Sequence, residues 1–147
     1  MNDLTFSALR KVNVTRCARW HPPGSVPWTA ADWSNAMCGE AGELANVVKK
    51  IRRHETRAVN EGDPSPDSLR VMAAAELADV VIYADLLAAY LGVDLGAAIA
   101  TKFNKTSERY GFPERLAGGL SAASPAEPAP EAEQRQGVGQ AGGIATH

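Results

Sequence analysis

Trp33-Ser34-Asn35-Ala36-Met37-Cys38-Gly39-Glu40-Ala41-Gly42-Glu43-Leu44-Ala45-Asn46-Val47-Val48-Lys49-Lys50-Ile51 is the stretch that decides the fold. At about 100° per residue, Trp33, Met37, Glu40, Leu44, Val47 and Ile51 share one helical stripe, and Glu43 borders it. The stripe is apolar except for the acids. A second stretch repeats the defect: Leu69, Met72, Glu76, Asp79/Val80, Tyr83, Leu87 and Tyr90 fall on one face, so two acids and a tyrosine hydroxyl lie among aliphatic residues. An isolated carboxylate taken out of water costs several kcal/mol unless it is neutralised, paired or bound to metal. Four of them on two facing helices call for a cation. Magnesium, which takes oxygen ligands and keeps several waters, suits such a set, with manganese as the substitute. Two plainer readings stand beside this one. Glu-x-x-Glu pairs commonly decorate a solvated face, and the basic run Lys49-Lys50-Ile51-Arg52-Arg53 could pair with the acids or simply complement a helix C-terminus.

The punctuation around these stretches divides the chain into four helices. Asn2 or Asp3 can cap a first helix ending near Trp20, with Phe6, Leu9, Val12, Arg16 and Trp20 on one side. His21-Pro22-Pro23-Gly24-Ser25-Val26-Pro27-Trp28 is a loop, because three prolines and a glycine exclude a regular helix. Thr29 and Asp32 form a capping box for a second helix over 30–54. Gly62-Asp63-Pro64-Ser65-Pro66 marks the next loop. Asp67 or Ser68 caps a third helix that stops at Gly92, and Asp94 caps a fourth over 95–110, closed by Gly111 and Pro113. No alternating strand pattern occurs, so the expected fold is an all-α antiparallel four-helix bundle in residues 1–116. Residues 117–147, rich in Gly, Ala, Ser, Pro, Gln and Glu, read as a disordered tail.

Composition narrows the function classes. With 147 residues, 45% of them hydrophobic, the chain suits one small domain, and a net charge of −2 favours neither nucleic acid nor an anionic surface as partner. Cys17 and Cys38 follow no metal-ligand spacing, and Cys38, within an apolar helix, is expected to be a buried free thiol. A basic region followed by an apolar one is missing at the N-terminus, and no apolar run reaches membrane-span length. A cytoplasmic protein without membrane or nucleic-acid partners is the expectation.

Gly39-Glu40-Ala41-Gly42-Glu43-Leu44-Ala45 and Glu76-Leu77-Ala78-Asp79-Val80-Val81-Ile82-Tyr83 resemble the two core helices of the MazG-like, all-α nucleoside triphosphate pyrophosphohydrolases. That family carries Glu-x-x-Glu on one helix and Glu-x-x-Asp on the next. The resemblance covers roughly residues 12–116 and includes the branch containing dCTP pyrophosphatase. It implies that Glu40, Glu43, Glu76 and Asp79 hold magnesium against a triphosphate and serve catalysis, with Glu43 as the expected proton acceptor. Cleavage would fall between the α and β phosphates, giving a nucleoside monophosphate and pyrophosphate, as house-cleaning of the nucleotide pool. Lys102 and Arg109 would stabilise phosphate charge, as cationic clamps do in phosphoryl transfer. Tyr83, Asn104, Lys50 and Trp20 are further candidates for substrate contact, and Trp28 could stack a base beside the proline loop, whereas Trp33 reads as core. The chain departs from the dCTP pyrophosphatase branch where Lys50 replaces an aromatic residue and Thr106 an asparagine, so the base is left open. Lys102-Phe103-Asn104 with Ser107-Glu108-Arg109 looks instead like another MazG-like branch.

Two further readings compete. A non-catalytic helical module could bind a nucleotide or a protein partner through the same bundle. A di-iron carboxylate bundle is disfavoured, because neither acidic pair has a histidine three residues later. Long apolar stripes on so small a chain predict a homodimer or higher homo-oligomer that completes the site.

Overall fold

The computed structural model describes residues 4–119, and every regular element among them is helical. Helix α1 spans Phe6–Trp20, α2 Ala30–Glu55, α3 Pro66–Tyr90 and α4 Leu95–Tyr110. The tail expected to be disordered lies outside the described residues from 120 onward, while 117–119 are described with the folded part.

The ends of the helices follow local chemistry. At α2 the capping box forms in full: the Thr29 hydroxyl accepts from the Asp32 amide, and the Asp32 carboxylate accepts from the Thr29 amide at 2.8 Å. Elsewhere the caps shift. Thr5, not Asn2 or Asp3, caps α1, and Ser65 caps α3 with Pro66 in the first turn, so α3 begins earlier than Asp67 or Ser68 would have placed it. A proline lacking an amide proton costs nothing at that position, which is why Pro66 opens the helix instead of closing the loop.

Helices α2 and α3 pair along their lengths and dominate the packing; α1 lies on α3, and α4 touches α1. The pair has a layered register. The Trp33 and Tyr83 rings are 6.5 Å apart at one end. Seven residues further along α2, and seven earlier on α3, Glu40 meets Glu76, their carboxylate oxygens within 4.8 Å. A further seven brings Val47 and Leu69 to the same level, 5% and 0% exposed. Positions seven apart return to the same seam of two packed helices, so the acids occupy the middle layer of a seam whose outer layers are closed by apolar and aromatic side chains. Fully burying a side chain such as Leu69 is worth roughly 2–3 kcal/mol.

Helix α1 packs differently from its expected stripe. Val12 and Trp20 are 66% and 61% exposed, and the residue it buries is Asn13. Asn13 Nδ2 donates to the Ile82 carbonyl and to Asp85 Oδ2, while Arg10 Nε donates to Asp85 Oδ1 at 2.8 Å and Arg10 Nη2 to the Val93 carbonyl. Asp85 is fully buried. The first helix is therefore docked by a polar node and not by an apolar stripe. Cys38, expected to be buried, is exposed, and Cys17 is half-buried. Cys38 lies about 140–180° around α2 from the seam residues Trp33, Glu40 and Val47, so helix phase decides its exposure more than the apolarity of its neighbours.

Candidate metal centre

One oxygen from each of Glu40, Glu43 and Glu76 lies within 4.8 Å of the other two. In an octahedral magnesium shell with oxygens at about 2.1 Å, neighbouring oxygens lie about 3.0 Å apart and opposite ones about 4.2 Å. Side-chain rotations that move each oxygen by about 1 Å therefore suffice to close three carboxylates around one ion. The donor set is all oxygen, as a hard divalent cation prefers. Glu40 and Glu76 are half-buried, and Glu43 stands exposed at the rim, so the cluster is a notch with an open side and not a sealed core defect.

The electrostatics agree with the geometry. The Glu40 carboxyl is pushed above the usual carboxylate range, first by loss of hydration and then by the negative charges of Asp79, Glu43 and Glu76. Asp79 is the foremost of these like charges, which places the fourth acid at the cluster although it lies outside the tightest three. No ion pair among the described residues joins a cation to any of the four acids. The basic run at the end of α2 is engaged elsewhere: Lys49 donates to Asn46, Arg52 pairs with Glu55 at 2.7 Å, and Arg53 reaches Asp63 at 3.5 Å. A network of acids neutralised by this run is therefore not what the chain builds.

Beside the cluster, the seam ends in aromatic rings. Trp28 and Trp33 centroids are 4.5 Å apart, His21 stands edge-on to both at 5.3 and 5.8 Å, and Tyr83 extends the group through Trp33. His21 Nδ1 donates to the Cys17 carbonyl at 3.1 Å, fixing the ring at the end of α1. Burial raises the Cys17 thiol, with Arg16 opposing. The proline loop thus folds Trp28 and His21 back onto the first turn of α2, about two helical turns from Glu40. His21 has a clear structural place that spacing alone did not reveal, because its neighbours are rings from another element.

The remaining expected contacts divide. Tyr83 stands one turn from Asp79, between acids and aromatics. Trp20 lies apart from the ring group, exposed, with the Arg16 guanidinium 5.0 Å above it. Lys50 is near enough to Asp63 to help lower that carboxyl, after the dominant hydrogen bond from the Asn60 amide and the charge of Arg53. Asn104 uses both halves of its amide on Leu116. Lys102 and Arg109 are exposed, and Arg109 lies 5.3 Å over Tyr110. Both project about 140–180° around α4 from its buried residues Ala100 and Ser107, so within one chain they point away from the acids. Asp85, which no pattern singled out, is an acid with assigned partners of its own and takes no part in the cluster. No family model matches the chain, and no curated protein matches it.

Proposed function

We propose that the chain is a magnesium-dependent nucleoside triphosphate pyrophosphohydrolase acting on a cytoplasmic nucleotide pool, as its resemblance to the MazG-like enzymes implies. The observation that carries this reading is the middle layer of the α2/α3 seam, where four acids converge without a compensating cation. When bound there, magnesium supplies charge neutralisation of the phosphates and acidifies a coordinated water. Glu40, Glu43, Glu76 and Asp79 would hold it, and Glu43, exposed at the rim, would accept the proton of the attacking water. The phosphorus–oxygen bond between the α and β phosphates breaks as the new one to water forms, giving monophosphate, pyrophosphate and one proton. Tyr83, one turn beyond Asp79, would donate a hydrogen bond to sugar or phosphate. The Trp28 and His21 rings, packed against the buried Trp33, would offer a stacking surface on the base side, a place that Trp20 does not share.

The cations enter from a second copy. Lys102 and Arg109 face outward on the same side of α4 as Ile99, while Leu77 and Val81 on α3 are 54% and 42% exposed. Gly39 and Gly42 lie inside α2 with no atom within 4 Å of an added Cβ, leaving room for a neighbouring helix. Pairing of two chains completes the antiparallel four-helix packing around the acids and brings the cationic stripe of one to the phosphate side of the other.

Mixing Glu40→Gln chains with Lys102→Ala chains tests this arrangement. Each variant alone is inactive; the mixture recovers up to about a quarter of wild-type activity if the cation acts in trans, and none if both groups serve the same chain. Calorimetry with magnesium and nucleotide, run beside the activity assay, separates an enzyme from a module that binds without turnover.

A further inference from the structure

Helix α4 has the thinnest hold on the body, burying Ala100 and Ser107 and contacting chiefly α1. What secures its far end is the segment that follows. Gly111 turns the chain in a left-handed conformation, φ +71°, and the amides of Gly111 and Phe112 donate to the carbonyls of Glu108 and Ser107 at 3.1 and 2.8 Å. The backbone then runs back along α4. Arg115 Nη1 closes the bend on the Phe112 and Glu114 carbonyls. Asn104 Nδ2 donates to the Leu116 carbonyl and the Leu116 amide donates to Asn104 Oδ1, both at 2.8 Å. At the end of the segment, a Cβ on Gly119 would come within 3.2 Å of Thr101 Oγ1, so the strap lies close against the helix there.

We propose that Asn104 is a positioning residue whose amide latches the strap 112–119 onto α4, holding that helix in the orientation in which Lys102 and Arg109 meet a triphosphate. This rests on the pyrophosphohydrolase reading. A primary amide offers a donor and an acceptor side by side and so matches the N–H and C=O of one backbone residue. Leucine at 104 keeps the bulk and loses both bonds. The latch lies about 160° around the helix from Lys102, so it supports α4 from behind and leaves the cationic stripe clear. Asn104 therefore acts through α4 and not by touching substrate.

The test uses the full chain with Asn104→Leu, Leu116→Pro and the two combined; the proline removes the Leu116 amide proton without touching Asn104. Hydrogen exchange of the amides at 105–110 is expected to be about tenfold faster in each single variant and no faster in the double. Binding of magnesium tripolyphosphate, which needs no base, is expected to weaken several-fold in all three, while magnesium binding at the acids stays unchanged. Unchanged exchange in both single variants, or additive effects in the double, overturns the latch. Faster exchange with unaltered tripolyphosphate affinity overturns the positioning role. A wild-type chain that binds magnesium but not tripolyphosphate overturns the phosphate reading itself, a failure distinguishable from that of the latch because exchange reports on the latter without a ligand.

Discussion

Glu40 is the residue on which the chemistry turns. Its carboxyl is raised by partial burial and by three neighbouring acids, so the free protein bears a local repulsion that a bound cation would relieve. Glu40→Gln and Asp79→Asn are expected to abolish turnover while leaving the helical signal intact. In magnesium-free buffer either change should raise the thermal midpoint, and magnesium should stabilise the wild type more than the variants. Thermal melts with and without magnesium check this; equal magnesium stabilisation of all three proteins would contradict it. Asp85 is the contrasting acid. It pairs with Arg10 and accepts a hydrogen bond from Asn13, and Asp85→Ala should cost about 3 kcal/mol, the low end for a broken buried pair because Arg10 retains some water. Denaturant titration reads that loss directly. At Asp32 the cap hydrogen bonds from Thr29 lower the carboxyl. Its contribution is present above the ordinary aspartate range and is lost as pH falls through the depressed value, so Asp32→Asn should flatten the acid side of a stability profile.

At the scale of the helix, α2 ends in a turn that an ordinary side chain adopts at some cost. Arg57 has φ +57°, with its amide donating to the His54 carbonyl and that of Ala58 to the Arg53 carbonyl. This is the position where helices favour glycine. Arg57→Gly is expected to stabilise the protein by about 1 kcal/mol, measured by the shift in denaturant midpoint. The four helices were readable because their stripes, prolines and the Thr29 capping box are local signals. The dual acidic motif was readable because its period matches the helix. What escaped was non-local. Asp85 belongs to no sequence motif, and its partners Arg10 and Asn13 come from α1, 75 and 72 residues away in sequence. His21 gained its rings from the fold of a loop. Asn104, assigned to substrate from its place near Lys102, points to the other side of α4 and binds a backbone twelve residues on.

At the scale of the whole molecule, one chain leaves the cluster open and its cations facing outward. Leu77, Val81, Ile99 and Phe103 remain 54%, 42%, 39% and 43% exposed, an amount of apolar surface that favours association. A concentration-dependent shift in mass, with dimer or larger species at micromolar protein, is expected from light scattering or sedimentation; a strictly monomeric and active chain would contradict completion in trans. No helix among the described residues is long and apolar enough to cross a membrane. The most direct measurement of the central claim is product identification after incubating the purified protein with a panel of canonical and modified nucleoside triphosphates, with magnesium and with a chelator. Equimolar monophosphate and pyrophosphate from at least one nucleotide, only with magnesium and not from Glu40→Gln, is the predicted result. No product from any nucleotide, or diphosphate with orthophosphate instead, would contradict it.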